Sequence, residues 1–137
     1  MSTEHPSVLV LDDEVVVRES LADYFEDCGW RVWQSASAEE ALKLLEVESP
    51  EGALVDIRLP GMRGDSFIRE AHRMRPSLAF VIVTGSPELC RSGDGRSYVK
   101  DLPATVERVF EKTITDLADL ERTLKQHIRT QQKATRP

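Results

Sequence analysis

Two acidic residues, Asp12 and Asp13, close the apolar run Val8-Leu9-Val10-Leu11, and a lone aspartate, Asp56, closes Ala53-Leu54-Val55. Carboxylates gathered in one place repel, and one of a close set ordinarily takes up a proton. A hard divalent cation removes that conflict. Mg2+ suits the task because it binds through a few carboxylates and completes its octahedron with water and phosphate oxygens. Mn2+ shares that preference for oxygen ligands. With the cation bound, Asp56 stays ionised and can act as a nucleophile, as carboxylates do in forming aspartyl-phosphates. Thr84, after Leu78-Ala79-Phe80-Val81-Ile82-Val83, offers a hydroxyl, and one lysine ammonium would supply a further contact to phosphoryl oxygens. The chemistry that such groups could do together is phosphoryl transfer, in which a protein mainly positions groups and stabilises charge.

That chemistry requires residues far apart in sequence to share one edge. The apolar runs are short, aliphatic and unalternating, which suits strands buried on both faces of a parallel sheet. In such sheets the carboxyl ends of the strands form the ligand crevice. Between the runs, Val17, Leu21, Tyr24, Phe25 and Cys28 recur at helical spacing, with Gly29 placed as a C-terminal cap. Residues 30–34 read as a second strand. Ser37 and Glu40 have capping-box spacing and open a helix carrying Ala41, Leu42, Leu44 and Leu45. After the Pro60-Gly61 turn, Gly64 or Asp65 opens a third helix through Phe67, Ile68, Ala71 and Met74, stopped by Pro76. Residues 86–100 are polar, with Gly93 and Gly95, and read as loop.

Asp101-Leu102-Pro103 reads as a helix start with proline in the first turn. Arg108-Val109-Phe110-Glu111 makes a short fifth strand, and Ile114, Leu117, Leu120, Leu124 and Ile128 mark a last helix. The alternation predicts an α/β fold, a doubly wound, five-stranded parallel sheet with right-handed crossovers and a shortened or irregular fourth helix. Residues 1–6 form an N-terminal arm and residues 7–129 one domain. Residues 130–137 have no apolar anchor and are expected to be a disordered tail.

Composition narrows the partners. The 137 residues fit one domain, and a net charge of −6 argues against general affinity for nucleic acid or an anionic membrane surface. No apolar run approaches the roughly 20 residues of a membrane helix. Met1 to Pro6 shows no charged start followed by an apolar stretch, so no secretory signal is read. Cys28 and Cys90 lack metal-type spacing and read as free thiols of a reducing, cytoplasmic setting. Cys28 is expected in the core and Cys90 in an exposed loop. His72 and His127 are expected on solvated helix faces, as are Arg69, Arg73 and Arg75. Trp30 and Trp33 are expected to pack beside the second strand.

The acidic pair, Asp56 with Pro60-Gly61, and Thr84-Gly85 stand in an order shared with Glu14, Arg18 and Gly64. In that order and spacing the chain resembles the receiver domain of bacterial two-component response regulators over residues 7–129. The resemblance implies the flavodoxin-like strand order 2-1-3-4-5. It implies Asp12, Asp13, Asp56 and the backbone carbonyl of Arg58 as metal ligands, Asp56 as phosphoacceptor and Thr84 as the switch hydroxyl. The donor would be a histidine kinase or a phosphotransfer protein, and the output a changed affinity for an unknown downstream protein, with a homodimer as one form of it. With few residues after the last helix, a stand-alone receiver is expected. It would not be an enzyme beyond self-phosphorylation and slow self-dephosphorylation at Asp56.

The chain also departs from that family. Receivers usually end the fifth strand in Lys-Pro, which is absent. Lys112 is chosen because a strand ending there leaves a last helix of ordinary length; Lys100 is the rival and would merge the end of the chain into one long helix. Thr113 stands where the proline would be. Val109 holds the position usually aromatic, and strand alternation sends Phe110 to the other face. These departures keep a second reading open, an interaction adaptor with a receiver fold and no phosphorylation cycle. A phosphohydrolase is disfavoured, because Arg58 stands where such enzymes carry an acid/base aspartate.

Overall fold

Strands that are apolar at every position need cover on both faces, and helices supply it. The computed structural model describes residues 5–85, 102–103, 106–112 and 114–134. Five strands, β1 (Ser7–Leu11), β2 (Arg31–Ser35), β3 (Gly52–Val55), β4 (Ala79–Thr84) and β5 (Val106–Glu111), form one sheet. Its order is β2-β1-β3-β4-β5 and every pairing is parallel. This is the expected doubly wound topology. Helices α1 (Val15–Asp27), α2 (Ala38–Val47), α3 (Gly64–Met74) and α4 (Leu117–Ala134) flank it. The expected irregular helix between β4 and β5 falls on residues 86–101 and lies outside the described residues, as do Cys90 and Lys100.

Alternation along each strand sorts the apolar residues into two cores. Leu9, Leu11, Ala53, Val55, Phe80 and Ile82 pack with Ala41 and Leu45 of α2 and with Phe67, Ile68 and Ala71 of α3. Val8, Val10, Leu54, Val81, Val83 and Phe110 pack with Leu21 and Phe25 of α1 and with Leu120, Leu124 and Ile128 of α4. Each fully buried Val, Leu, Ile or Phe among them contributes about 1.5–3 kcal/mol from desolvation. Edge-to-face pairs add geometric preference in each core: Phe67 and Phe80 at 6.4 Å, Phe25 and Trp30 at 5.1 Å. Phe110 is buried in the α1/α4 core. Half of the capping box forms, the Ser37 hydroxyl accepting from the Glu40 N–H at 3.2 Å, while the Glu40 carboxylate accepts from the Ala36 N–H at 3.5 Å rather than from Ser37.

Several expectations are corrected. Cys28 is exposed, because α1 ends at Asp27 and the chain turns through Gly29 at φ +93° before helical spacing can carry the thiol inward. Trp30 takes the core position instead, its indole N–H donating to Glu121 Oε2 at 2.8 Å. His127 is buried rather than solvated, lying one turn beyond Leu124 on the inward face of α4, and His72 is half-buried. The arginines of α3 do not form a uniform solvated face. Arg75 donates to the carbonyl oxygens of Leu45 and Glu48 and holds the end of α2, while Arg69 pairs with Asp65.

Leu102 and Pro103 are irregular rather than the first turn of a helix, and the chain enters β5 three residues later. Helix α4 runs to Ala134, so residues 130–134 are helical where a disordered tail was expected. A polar contact anchors them: Gln132 Nε2 donates to Glu51 Oε2 at 2.8 Å, and Glu51 in turn accepts the Ser7 N–H. Among the described residues, no helix is long and apolar enough to cross a membrane.

Candidate functional site

Because all five strands run the same way, the residues that follow them gather at one edge. Asp12 follows β1; its N–H donates to Ser35 O at 3.1 Å and its Oδ1 accepts the Glu14 N–H at 2.9 Å. Arg18 Nη1 reaches back from α1 to the Asp12 carbonyl at 2.9 Å and fixes that turn. Glu14 is the N-cap residue of α1 and makes no side-chain cap bond, and the acidic pair before it lies ahead of the helix. Asp56 follows β3. Its N–H donates to Leu11 O and its Oδ1 accepts the Arg58 N–H at 3.2 Å, so the loop itself orients the carboxylate. Gly64 opens α3 directly behind it, with its N–H on Ile57 O at 2.9 Å. A Cβ at Gly64 would lie 2.1 Å from the Asp56 carbonyl oxygen, so only glycine fits.

Asp12, Asp13 and Asp56 offer carboxylate oxygens that lie within 4.8 Å of one another. Asp12 and Asp56 are 2% and 4% exposed, and Asp13 faces solvent. Thr84 ends β4 and is buried beside them. Lys112 comes next after β5, held in register by its N–H on Thr84 O at 2.9 Å. Its Nζ meets Asp12 Oδ2 at 2.9 Å, Asp56 Oδ2 at 3.0 Å and Glu14 Oε1. Asp13, Glu14, Asp56, Arg58, Thr84, Gly85 and Lys112 line one open cleft. The expected aspartates, the threonine and the chosen lysine thus share a single space. The contact between Glu14 and Lys112 was not foreseen; its only sequence signal is the place of Glu14 directly after the acidic pair.

The charges there are strongly coupled. Burial works against the charged form of Asp12 and, with repulsion from Asp56, raises its pKa despite hydrogen bonds from Lys112 and the Glu14 N–H. Burial works against the Lys112 ammonium as well, but its bonds to Glu14, Asp12 and Asp56 outweigh that and raise its pKa. Lys112 is therefore a permanent cation at pH 7. The donor set fits a hard divalent cation: three carboxylates within reach of one ion, one of them destabilised by the crowding, and no sulfur or imidazole among them.

Asp65 forms a second buried carboxylate site nearby, where the sequence reading saw only a helix opener. It is 1% exposed and accepts from Arg63 at 3.0 Å and from Arg69 at 3.0 Å. Burial alone would raise its pKa; the two guanidinium groups more than offset this and lower it from 3.8. A carboxylate whose folded pKa lies below its unfolded value adds stability above the unfolded pKa and loses it as pH falls through the folded one. Asp65→Asn should therefore cost about 1–2 kcal/mol at pH 7, the lower range for charged hydrogen bonds because both arginines are partly in water. The gap to wild type should close below about pH 4, read from urea unfolding midpoints across pH. A gap that stayed constant down to pH 2 would remove the ionic explanation.

A model described as the response regulator receiver domain matches residues 8–93, a span that includes Asp12, Asp13, Asp56 and Thr84. The C4-dicarboxylate transport transcriptional regulatory protein DctD of Rhizobium meliloti (strain 1021) is 34% identical over 84 residues. Those residues make up 61% of this chain and 18% of DctD, so the chain spans less than a fifth of that relative. A CheY-like response regulator receiver domain protein from Methanospirillum hungatei JF-1 superposes with a TM-score of 0.81 at 28% identity, covering 95% of this chain and 98% of that one. The response regulator TrrA of Thermotoga maritima, solved in complex with Mg2+ and BeF, shares the fold at a TM-score of 0.73 and 23% identity, covering 89% of this chain and 98% of that one. The family model spans more than half of the chain, and on that match the chain belongs to the response regulator receiver domain family.

Proposed function

We propose that this receiver is a phosphoacceptor in a two-component phosphorelay, with Asp56 as the residue that takes the phosphoryl group. The observation that carries this reading is the pairing of a buried, backbone-oriented Asp56 carboxylate with the Lys112 ammonium at 3.0 Å, at the floor of a cleft open to solvent. The donor is a phosphohistidine on a histidine kinase or a phosphotransfer protein. An Asp56 carboxylate oxygen attacks phosphorus, the P–N bond breaks, and the imidazole nitrogen leaves with the electron pair and takes up a proton. The Lys112 ammonium and the Thr84 hydroxyl then donate to the phosphoryl oxygens, both bonds charge-assisted by the anionic acceptor and the first also by its cationic donor. Thr84 moving onto the phosphoryl group is the step that reads out the modification.

Asp12, Asp13, Asp56 and the carbonyl of Arg58 would hold Mg2+, with Mn2+ able to substitute. When bound, the cation offsets the negative charge of the carboxylates and of the incoming group. Arg58 stands two residues after Asp56, where a hydrolytic acid/base would be needed, so turnover is confined to self-phosphorylation and slow loss of the protein's own phosphate. The output is a changed affinity for a protein partner in the cytoplasm, a second copy of the chain being one form of it. The net charge of −6 supports a protein rather than a nucleic-acid partner.

Intact-protein mass spectrometry tests the reading. Acetyl phosphate with Mg2+ should add one phosphoryl group to wild type, and chelation of the metal with EDTA should abolish the addition. No adduct with acetyl phosphate, together with no binding of beryllofluoride, would leave the interaction adaptor as the better account.

A further inference from the structure

Helices α1 and α4 cover the same core on one side of the sheet, and both start at the cleft edge and run away from it. The outward face of α1 carries Glu19, Asp23, Glu26 and Asp27, all exposed. Its one cation, Arg18, turns to the Asp12 carbonyl and Gln34. Asp23, Glu26 and Asp27 fall at the C-terminal end, where the backbone dipole disfavours negative charge, and no basic residue stands in the last turn. The outward face of α4 is the reverse: Arg122, Lys125, Arg129 and Lys133 are exposed there. Arg122 pairs with Asp119 and Lys125 with Glu121. Among the described residues, Arg129 and Lys133 have no anionic partner, and the four carboxylates of α1 have no cationic one. Near the cleft end, a largely apolar groove lined by Val16, Val17, Ile114 and Leu117 separates the two ridges.

We infer that this face pairs with the same face of a second copy of the chain, α1 of each against α4 of the other. A twofold axis lying in the contact and along the helices sets an acidic ridge on a basic one twice over, the self-complementarity that an isologous contact requires. An axis across the helices would instead set acid on acid and base on base. With the axis along them the helices run in parallel, and their charges fall at matching depths. Asp23 and Lys125 each stand eight residues past the helix start, and Asp27 and Arg129 each stand twelve past it. At about 1.5 Å per residue, each pair lies at one level below the cleft edge. The second copy thus supplies α1 with the cations that its own sequence withholds. Exposed ion pairs are individually weak and screened by salt, so the association is of low affinity and salt-sensitive. Its test needs no phosphoryl group.

Sedimentation velocity of the full chain decides it, run with a thiol reductant so that exposed Cys28 forms no disulfide. At about 50 mM salt, wild type should show a dimer that grows with protein concentration, and about 0.5 M salt should dissociate it. Asp23→Lys with Asp27→Lys makes both ridges basic, and Lys125→Glu with Arg129→Glu makes both acidic. Each double variant alone should raise the dissociation constant about tenfold or more, since four cross-copy pairs turn repulsive. Mixed one to one, the two variants should form a heterodimer of near wild-type affinity. Starting from a net charge of −6, both stay negative overall, so bulk attraction does not account for that pairing. Cations suit the end of α1, so the first variant should keep or raise the urea midpoint, which separates lost association from lost folding. A salt-sensitive dimer with rescue on mixing supports the pairing. A wild type that stays monomeric up to about 1 mM overturns it and leaves the face to a partner of another kind. A dimer that both variants retain, or loss in both without rescue, overturns it as well, because the copies would then meet elsewhere or in another arrangement.

Discussion

Asp56→Asn is expected to reduce phosphoryl incorporation from acetyl phosphate by roughly a thousandfold or more, the order of loss that follows removal of a covalent nucleophile. The substitution is nearly isosteric, and an amide oxygen can still accept the Arg58 N–H that Oδ1 accepts at 3.2 Å. The loop after β3 should therefore keep its shape while the nucleophile is lost. The measurement is time-resolved intact mass with Mg2+ present, combined with hydroxylamine treatment, which cleaves acyl phosphates but not phosphate esters. Hydroxylamine-labile label that persisted at the wild-type rate in Asp56→Asn would transfer the acceptor role to another carboxylate. Label resistant to hydroxylamine would point to a hydroxyl such as Thr84.

Gly64→Ala should be the most damaging single-methyl change near the cleft, at about 2–3 kcal/mol, the upper part of the usual range for overpacking. The reason is what the methyl would meet. Its nearest neighbours are the Asp56 carbonyl oxygen at 2.1 Å, the Asp56 carbonyl carbon at 2.9 Å and Ile57 Cα at 2.9 Å, all backbone atoms. A flexible side chain can swing away, but here either α3 or the backbone at Asp56 must move. Stability and phosphorylation are therefore coupled: the variant should show a lower urea midpoint and, in the fraction that remains folded, slower acetyl phosphate labelling. Wild-type stability would mean that α3 does not approach the loop this closely. Lowered stability with an unaltered labelling rate would mean that α3 alone yields.

The site was legible in the sequence largely because of where its residues fall relative to the strands. Apolar runs without alternation require helices on both faces, and that architecture gathers the residues after β1, β3, β4 and β5 at one edge whatever the loops do. Asp12, Asp13, Asp56 and Thr84 needed no more than this. Lys112 needed a further argument from helix length, and its Nζ lies 3.0 Å from Asp56. What escaped were features set by partners distant in sequence. Helical spacing placed Cys28 inward, but spacing does not register that a helix has ended. His127 looked solvated beside polar neighbours, although a helix face, not its neighbours in sequence, decides burial. The end of α4 was missed because its anchor, Gln132 on Glu51, is a hydrogen bond, and the search was for apolar residues. Asp65 is a separate case: its partners Arg63 and Arg69 are near in sequence, but their spacing does not announce that the carboxylate between them is buried while they stay partly in water.

The threefold grip of Lys112 has a consequence for how the chain matures. One ammonium ties together the turns after β1 and β3 and the end of β5, neutralising much of their mutual repulsion from within. Zinc fingers are the opposite case, since they stay unfolded until their ion arrives. Here the newly made polypeptide brings its own counterion to the rim. On the proposed reading, a divalent ion would serve readiness to receive a signal, while the architecture that waits for it is already held by this contact.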